Sequence, residues 1–508
     1  MKSLGMPPQT GFEGWMKQPK GWSKWLERLF LIFEQPVNRL STTPQLNPFY
    51  HTGPISLFLL GVVAATGFYL FIFFQYGYEA SYMAAFRLEG QPIGRLMRAL
   101  HRYASGALLI TTLLHALRML FMERFHGPRR LAWITGQVMV AMMWVAGVTG
   151  YLLLWDERAK QINDRLINYL DRWTPWGARF ANWQIGIESG GSWLFFFVVL
   201  VVHIVMTLAL FGFFYLHIKH LSRARLLPEG HWLIGMGIVL IIGALFFPVG
   251  MLPAAQTSAL SGPFTYDPVF LFFLPNSVGW VIWTLLFVVG LGLTFLPWLS
   301  RESSPAPIVN VISERCTGCT RCATDCPYGA IDMLELSEGS AYSYLAVAQP
   351  ERCVSCGICI GACRDNAITL GEADPADLKE AIKGRLEFAK QRVAHETEAP
   401  DIELVFTCQR FANQGAAPYL RREVHGVEAT HRTIEVMPIP CAGAISPDLL
   451  IEALNAGAAE VRLIGCPPDD CANREGNLIA EQRLMRERPP KLRRSYANVP
   501  ISAVWLPP

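Results

Sequence analysis

Two strongly apolar stretches of this chain each carry two histidines fourteen residues apart: His101 and His115 in one, His203 and His217 in the other. At 100° per residue, fourteen steps fall about 40° short of four full turns, so each pair shares one face of a helix at about 21 Å vertical separation. Imidazoles are costly inside a bilayer unless they serve a function, and paired imidazoles are axial ligands of electron-carrying haem. Two such helices facing each other would clamp two haems, one above the other. A lone membrane histidine is as often simply hydrogen-bonded; the doubled spacing argues against chance.

The rest of the sequence supports a membrane setting for one half only. Of 508 residues, 52% are hydrophobic, too many for a wholly soluble chain. Six apolar stretches, at roughly 54–76, 96–121, 133–155, 192–217, 232–252 and 275–298, each approach the ~20 residues that a span requires. The first fifty residues lack the continuous apolar core of a signal peptide. Residues 21–33, GWSKWLERLFLIF, read as an amphipathic helix lying on a membrane surface, with an ordinary soluble helix as the alternative. Basic residues Arg118, Arg124, Arg129, Arg130, Lys219, Arg223 and Arg225 share one side with the N-terminus, whereas 253–274 opposite carries no Lys or Arg. The charge rule therefore puts both termini in the cytoplasm of a prokaryotic inner membrane, although the loop at 156–191, with Arg158, Lys160, Arg165, Arg172 and Arg179, runs against it. A net charge of +3, from 44 basic and 41 acidic residues, gives no reason to expect nucleic acid.

The sequence motifs around these histidines are HRYASGALLITTLLHALRMLF at 101–121 and WITGQVMVAMMWVAGVTGYLLLWDE at 133–157. Over residues 20–300 the chain resembles the cytochrome b of bc-type and plastid b-f-type complexes. The resemblance implies that His101 pairs with His203 and His115 with His217. It implies that Gly53, Gly67, Gly136 and Gly150 let the porphyrins approach the helix backbone, and that Arg98 and Arg118 meet haem propionates, unless they are merely snorkelling charges. The chain departs from that family where a Pro-Glu-Trp-Tyr motif marks the outer quinol site. Here the stretch reads Phe264-Thr265-Tyr266-Asp267-Pro268, so Asp267 either replaces the proton-accepting Glu or caps the sixth span. No cysteine precedes residue 300, which excludes the thioether-linked extra haem of the plastid type. His51, His126, His220 and His231 lie near span ends, where solvated roles are the default. Lys219 and His220 are candidates to line an inner quinone pocket.

All twelve cysteines lie between Cys316 and Cys471, beyond a linker at 301–307. Cys316, Cys319, Cys322 and Cys326 form C-x2-C-x2-C-x3-C, and Cys353, Cys356, Cys359 and Cys363 repeat it. In two-cluster ferredoxins the fourth cysteine of each run reaches the other cluster. The expected ligand sets are Cys316, Cys319, Cys322 and Cys363 for one [4Fe-4S] cluster, and Cys353, Cys356, Cys359 and Cys326 for the second. Zinc and disulfides fit this doubled spacing poorly. A charged helical connector at about 374–397 follows, then alternating strand and helix patterns. Cys408, Cys441 and Cys466 each follow a strand-like run (IELVF, TIEVMPI, VRLIG), and PDLLIEALNAGAAE between the last two predicts a helix and parallel pairing. Parallel strands gather their ends at one edge, where Cys408, Cys441, Cys466 and Cys471 would suit one [2Fe-2S] cluster. Buried structural cysteines are the bland alternative. The tail beyond Arg486 is expected to be irregular.

The motifs FTCQRFANQGA, PIPCAGAISPDLLIEAL and IGCPPDDCANREGN make residues 401–480 resemble the small iron-sulfur subunit of methyl-viologen-reducing hydrogenase. That resemblance implies a cytosolic flavoprotein neighbour, like heterodisulfide reductase, or hydrogenase-like subunits.

The expected fold class is multidomain: an all-α six-helix di-haem transmembrane bundle, an α+β two-cluster ferredoxin fold and a small α/β domain with a parallel sheet. Expected boundaries are 1–50 for the surface segment, 51–300 for the membrane domain, 301–372 for the ferredoxin, 373–400 for the connector and 401–508 for the last domain and tail. The expected role is an electron-transfer subunit of a quinone-dependent oxidoreductase, in a multisubunit complex with a dimer left open. The alternative is a membrane anchor and relay without its own quinone site. A transporter is disfavoured because midplane carboxylates and broken-helix signals are missing.

Overall fold

The computed structural model describes residues 21–41, 43–122, 124–173, 192–219, 225–255, 267–272, 279–299, 307–371, 374–393, 401–409, 415–416, 419–420 and 432–507. The chain divides into two compact units, His51–Lys219 with Ala224–Arg301, and Met1–Tyr50 with Glu302–Pro508. The second unit begins with helix α1 (Gly21–Leu40), whose Phe30 meets Phe49 edge to face at 5.8 Å.

The first unit is helical. Helices α2 (Thr52–Phe73), α3 (Tyr78–Glu89), α4 (Pro92–Phe121), α5 (Arg130–Leu152), α6 (Glu157–Trp173), α7 (Ser192–Ile218), α8 (Gly230–Phe246) and α9 (Gly279–Leu299) follow in order. Pro92 opens α4 at a position where its missing N–H costs nothing. Helix α2 packs along α4, and α5 along α7, so the unit is built from two helix pairs joined through α4 and α5. Their shared core includes Leu59, Leu108, Met139, Phe196 and Leu210. Four helices among the described residues are long and apolar enough to cross a membrane: Thr52–Phe73, Pro92–Phe121, Gly127–Leu152 and Trp193–Ile218.

The fifth expected span corresponds to a shorter apolar helix, Gly230–Phe246, whereas the sixth corresponds to α9, whose 21 residues are long enough for a span. Pro228 and Pro248 bracket Gly230–Phe246, and its 17 residues extend about 26 Å, short of a ~30 Å hydrocarbon layer. The basic residues that ran against the charge rule, Arg158, Lys160, Arg165 and Arg172, lie on α6, a strongly amphipathic helix in which Lys160 pairs with Asp164 at 3.3 Å. Arg179 lies outside the described residues.

The second unit holds two short antiparallel sheets, β1 (Val309–Val311) with β4 (Ile368–Leu370), and β2 (Ile331–Glu335) with β3 (Tyr344–Ala348). Between their strands lie the short helices α10 (Arg321–Asp325) and α11 (Ile358–Ala362). Helix α12 (Pro375–Val393), expected as a connector, buries Leu378, Ile382, Leu386, Ala389 and Val393 at helical spacing and is part of the core.

Strands β5 (Asp401–Cys408), β6 (Arg432–Ile439), β7 (Glu460–Gly465) and β8 (Ile501–Trp505) then form a wholly parallel sheet in the order β6-β5-β7-β8. Helices α13 (Pro447–Asn455) and α14 (Gly476–Leu484) follow β6 and β7. Ser446 caps α13 by accepting from the Leu449 N–H, with Pro447 opening the helix.

Two expectations are corrected here. Strands β6 and β7 are parallel but do not pair with each other; β5, buried along nearly its whole length, lies between them and pairs with both. The tail beyond Arg486 is not irregular throughout, because Ile501–Trp505 adds a fourth strand beside β7. Its five residues, Ile-Ser-Ala-Val-Trp, four of them apolar, were hidden among arginines and prolines.

Candidate cofactor sites

Helices α4 and α7 bring the four histidines together as two facing pairs. The ring centres of His101 and His203 lie 6.4 Å apart, and those of His115 and His217 lie 6.5 Å apart. Each Nδ1 faces an oxygen on the neighbouring helix. That of His101 is 3.1 Å from the Val63 carbonyl and 3.1 Å from Thr66 Oγ1. That of His203 is 2.8 Å from the Ala146 carbonyl and 3.2 Å from Thr149 Oγ1. Thr52 Oγ1 stands 3.2 Å from His115 Nδ1, and Thr135 Oγ1 stands 3.1 Å from His217 Nδ1. The Thr66, Thr135 and Thr149 hydroxyls donate to carbonyls of their own helices, at Val62, Leu131 and Val145, so their oxygens accept from the imidazoles. Nδ1 is thereby the protonated nitrogen and Nε2 is left for the space between the rings. An acceptor on the distal nitrogen fixes tautomer and ring orientation in metal-binding histidines. An iron midway would set the ring centres about 6.2 Å apart, from about 2 Å per metal–nitrogen bond and about 1.1 Å from nitrogen to ring centre.

The four singled-out glycines lie against these rings. A Cβ at Gly67 would stand 3.0 Å from His101 Cε1, one at Gly150 3.3 Å from His203 Cε1, and those at Gly53 and Gly136 3.4 Å from the same carbon of His115 and His217. Gly67 and Gly150 therefore make room for the imidazoles themselves, whereas a Cβ at Gly53 or Gly136 would stand at the edge of ordinary contact with the ring. Sequence reasoning missed the threonines. Their signal was the Thr-Gly dipeptide, present at 52–53, 66–67, 135–136 and 149–150.

Arg98 is buried and ion-paired with Glu89 of α3, with a further contact of 3.4 Å to the Gly250 carbonyl. Arg118, in the last turn of α4, is also buried. Asp267 is buried too: it pairs with Arg102, accepts from the Tyr151 hydroxyl at 2.9 Å and accepts from the Val269 N–H at 2.8 Å. It closes its own turn and does not cap the sixth apolar helix, whose described residues begin at Gly279. Lys219 follows directly on α7, while His220 lies outside the described residues.

The two cysteine runs exchange their fourth members. One cavity is lined by Cys316, Cys319, Cys322 and Cys363, together with Val311, Met333 and Ala346. A second is lined by Cys353, Cys356, Cys359 and Cys326, with Tyr328, Ile358 and Leu370. The exchange arises because each run is a loop and a short helix, α10 or α11, and these two helices pack together. Thr320 and Ser355, with φ of 62° and 60°, turn the backbone inside each run. The Ala330 and Ala367 amides donate to Cys326 and Cys363 sulfurs at 3.2 Å each, and Ser355 donates to Cys353 at 3.4 Å. Burial, then Cys363, pushes the Cys322 thiol up to about 12. Burial raises Cys356 well above the ordinary thiol range, with Cys441 the next cause, and raises Cys359 likewise, with Cys356 next. Sulfurs so placed suit metal-bound thiolates better than free ones. Among the described residues no three His, Cys, Asp or Glu converge as they would around a single metal ion.

At the carboxyl edge of the parallel sheet, Cys408 ends β5, Cys441 follows β6 and Cys466 follows β7, all buried, with Cys471 in the next loop. The Cys408 and Cys466 sulfurs are 3.6 Å apart. Cys471 donates to Cys441, which lowers the Cys441 thiol and raises its own. Cys471 also meets Cys466, so the four sulfurs form one continuous set of contacts, Cys408 to Cys466 to Cys471 to Cys441.

Known families match the chain part by part. Residues 37–224 match the cytochrome b/b6/petB family, residues 315–367 a 4Fe-4S dicluster domain, and residues 404–489 the delta subunit of methyl-viologen-reducing hydrogenase. Cytochrome b6 of Synechococcus elongatus is 31% identical over 136 residues, covering 26% of this chain and 63% of that protein. Cytochrome b6 of Prochlorococcus marinus strain NATL1A is 33% identical over 115 residues, covering 22% and 53%. The chain thus spans between half and two thirds of the length of these curated relatives. A structure titled "Hyperthermophilic respiratory Complex III" aligns over 55% of this chain and 83% of its own, with 16% identity and a TM-score of 0.40.

The chain is an integral membrane protein whose domains are those of electron transport. It carries a cytochrome b domain at its N-terminal end, a dicluster ferredoxin domain after it, and a hydrogenase-delta domain at its C-terminal end. The first implies haem and the second implies iron-sulfur clusters.

Proposed function

We propose that the protein is the membrane-bound electron-transfer subunit of a quinone-linked oxidoreductase complex. It would pass electrons between the quinone pool, two b haems, two [4Fe-4S] clusters, one [2Fe-2S] cluster and a soluble flavin-containing partner resembling heterodisulfide reductase or a hydrogenase subunit. The observation that carries this reading is the pair of facing imidazole sets, 6.4 and 6.5 Å between ring centres, each with Nδ1 engaged by the neighbouring helix.

In this reading His101 with His203, and His115 with His217, hold the haems, Gly53, Gly67, Gly136 and Gly150 lie against the rings, and Arg98 and Arg118 meet the propionates. The cysteine sets lining the two ferredoxin cavities hold the cubes. Cys408, Cys441, Cys466 and Cys471 together would hold the last cluster. The 3.6 Å between Cys408 and Cys466 fits this, since two thiolates on one tetrahedral iron at about 2.3 Å stand about 3.8 Å apart. When bound, these groups supply one-electron storage at fixed points; the chain supplies ligands, buried surroundings and hydrogen bonds that tune them. The domain boundaries at 50, 300, 372 and 400, the cytoplasmic placement of both termini and the prokaryotic membrane belong to the same proposal.

Quinone exchange is assigned to the side of His115 and His217, with Lys219 and the residue after it among its walls. The outer alternative is disfavoured because Asp267 is committed to Arg102, Tyr151 and its own turn. That same commitment favours, as the second reading, an anchor and relay with no quinone site. Stopped-flow haem reduction by a quinol analogue, with inner-site and outer-site inhibitors, separates the cases. Inhibition at the inner site alone is expected; inhibition at the outer site alone refutes the assignment, and no haem reduction by any quinol establishes the relay. Proteins that copurify with the chain test the flavin partner.

A further inference from the structure

The ferredoxin and the C-terminal domain share one core, and at one place in it cysteines from both lie together. Cys356, which lines the second cavity, packs in one apolar cluster with Ile358, Ile479 and Cys441. The approach is close: a Cβ at Gly357 would stand 3.0 Å from the Ala444 side chain, and Gly357 has φ of 73°, so glycine is needed there twice over. The first cavity is lined by ferredoxin residues alone.

Arg483 of α14 lies at the same place, fully buried. Its guanidinium donates to the Gly443 carbonyl at 2.8 Å, to Asp325 Oδ2 at 2.6 Å and to the Ile358 carbonyl at 3.3 Å. Asp325 adjoins Cys326, Ile358 adjoins Cys359, and Gly443 lies two residues beyond Cys441. One side chain thus ties together three cysteine-bearing segments from two domains. Asp325 also pairs with the partly exposed Arg488, which leaves this group of three charges one positive in excess. A buried ion pair of this kind is weak evidence for stability, and fixing an arrangement is its best-attested use.

We propose that the second [4Fe-4S] site and the C-terminal cysteine site form one coupled electron-transfer pair, with Cys356 and Cys441 as facing ligands and Arg483 as the positioning residue that holds them together and raises both reduction potentials. This rests on the cluster assignments above and adds the order of the wire: first cubane site, second cubane site, C-terminal site. One electron crosses between Cys356 and Cys441, oxidising one cluster by one unit and reducing the other by one, with no bond made or broken. A fixed positive charge favours the reduced, more negative state of either cluster, which gives the sign of the potential shift.

The test uses the full-length, cluster-loaded protein, reduced stepwise and followed by electron paramagnetic resonance. Each cluster signal is identified first. In the wild type the C-terminal signal should split once the second cubane is also reduced. Arg483→Met should lower the midpoint potentials of these two clusters and weaken the splitting, leaving the first cubane and the haems unshifted; Arg483→Lys should retain most of both potentials. Three distinct cluster signals without splitting would overturn the pairing while leaving the cluster assignments standing. Arg483→Met shifting no potential, or all of them equally, would overturn the role of Arg483. Should Arg483→Met fail to load clusters, Arg483→Lys decides, because unchanged splitting with a lost potential would likewise overturn the positioning role. Non-haem iron stopping at about eight per chain, with no C-terminal signal, would overturn the [2Fe-2S] reading and the pair with it.

Discussion

Gly67→Ala is expected to damage the haem held by His101 and His203 while leaving the other nearly intact. A Cβ at Gly67 would stand 3.0 Å from His101 Cε1, against 3.4 Å for the equivalent atom at Gly53 and His115. Carbon atoms in comfortable contact are about 3.5–4.0 Å apart, so Gly67→Ala requires the His101 ring to move by about 0.5 Å or more, and Gly53→Ala by about 0.1 Å. The ring has little freedom, since Nδ1 is held by the Val63 carbonyl and Thr66 Oγ1, both at 3.1 Å. Metal–ligand distances tolerate about 0.2 Å, so the first change breaks the fit and the second does not. Disturbing what orients a ligand typically costs about 10–100-fold in affinity, or about 1.4–2.7 kcal/mol. Pyridine haemochrome content and a redox titration that resolves the two haems supply the assay. Gly67→Ala retaining both haems at unchanged potentials would refute the seating argument, as would Gly53→Ala doing greater harm than Gly67→Ala.

Purified protein should contain two b haems per chain, and His115→Ala or His217→Ala should each remove the same one; removal of different haems by these two changes breaks the pairing of His115 with His217. Non-haem iron should approach about ten atoms per chain, and Cys466→Ser should abolish only the C-terminal cluster signal, so its survival would sink that assignment. In cluster-free protein the Cys322 thiol, pushed up to about 12, holds its proton while the unfolded thiol loses it near about 8.5. Its contribution to stability is therefore complete below about pH 8.5 and is lost as pH rises through about 12, whereas the loaded protein, with sulfur bound to iron, should lack that slope in denaturation series. Trp505→Ala should weaken β8 against β7 and cost about 1–3 kcal/mol; an unchanged unfolding midpoint would deny that the strand contributes.

Sequence by itself determined the periodic and local features of this protein. The fourteen-residue spacing of His101 with His115, and of His203 with His217, follows from helix geometry alone and survives any arrangement of the helices. The C-x2-C-x2-C-x3-C runs likewise dictate their own turns, and the strand-like runs before Cys408, Cys441 and Cys466 are the strands β5, β6 and β7. What needed the tertiary structure was everything settled between distant segments. Polarity patterns report which face of an element is buried, but not what it is buried against. Strand β5 therefore separates β6 from β7 for reasons invisible in either, and Ile501–Trp505 becomes a strand only because β7 offers it an edge. The threonines at 52, 66, 135 and 149 look like ordinary helix residues until the imidazole of another helix arrives beside each. Arg483, in a sequence neighbourhood rich in arginine, is set apart only because folding places it between Asp325, Ile358 and Gly443, segments 158, 125 and 40 residues away along the chain.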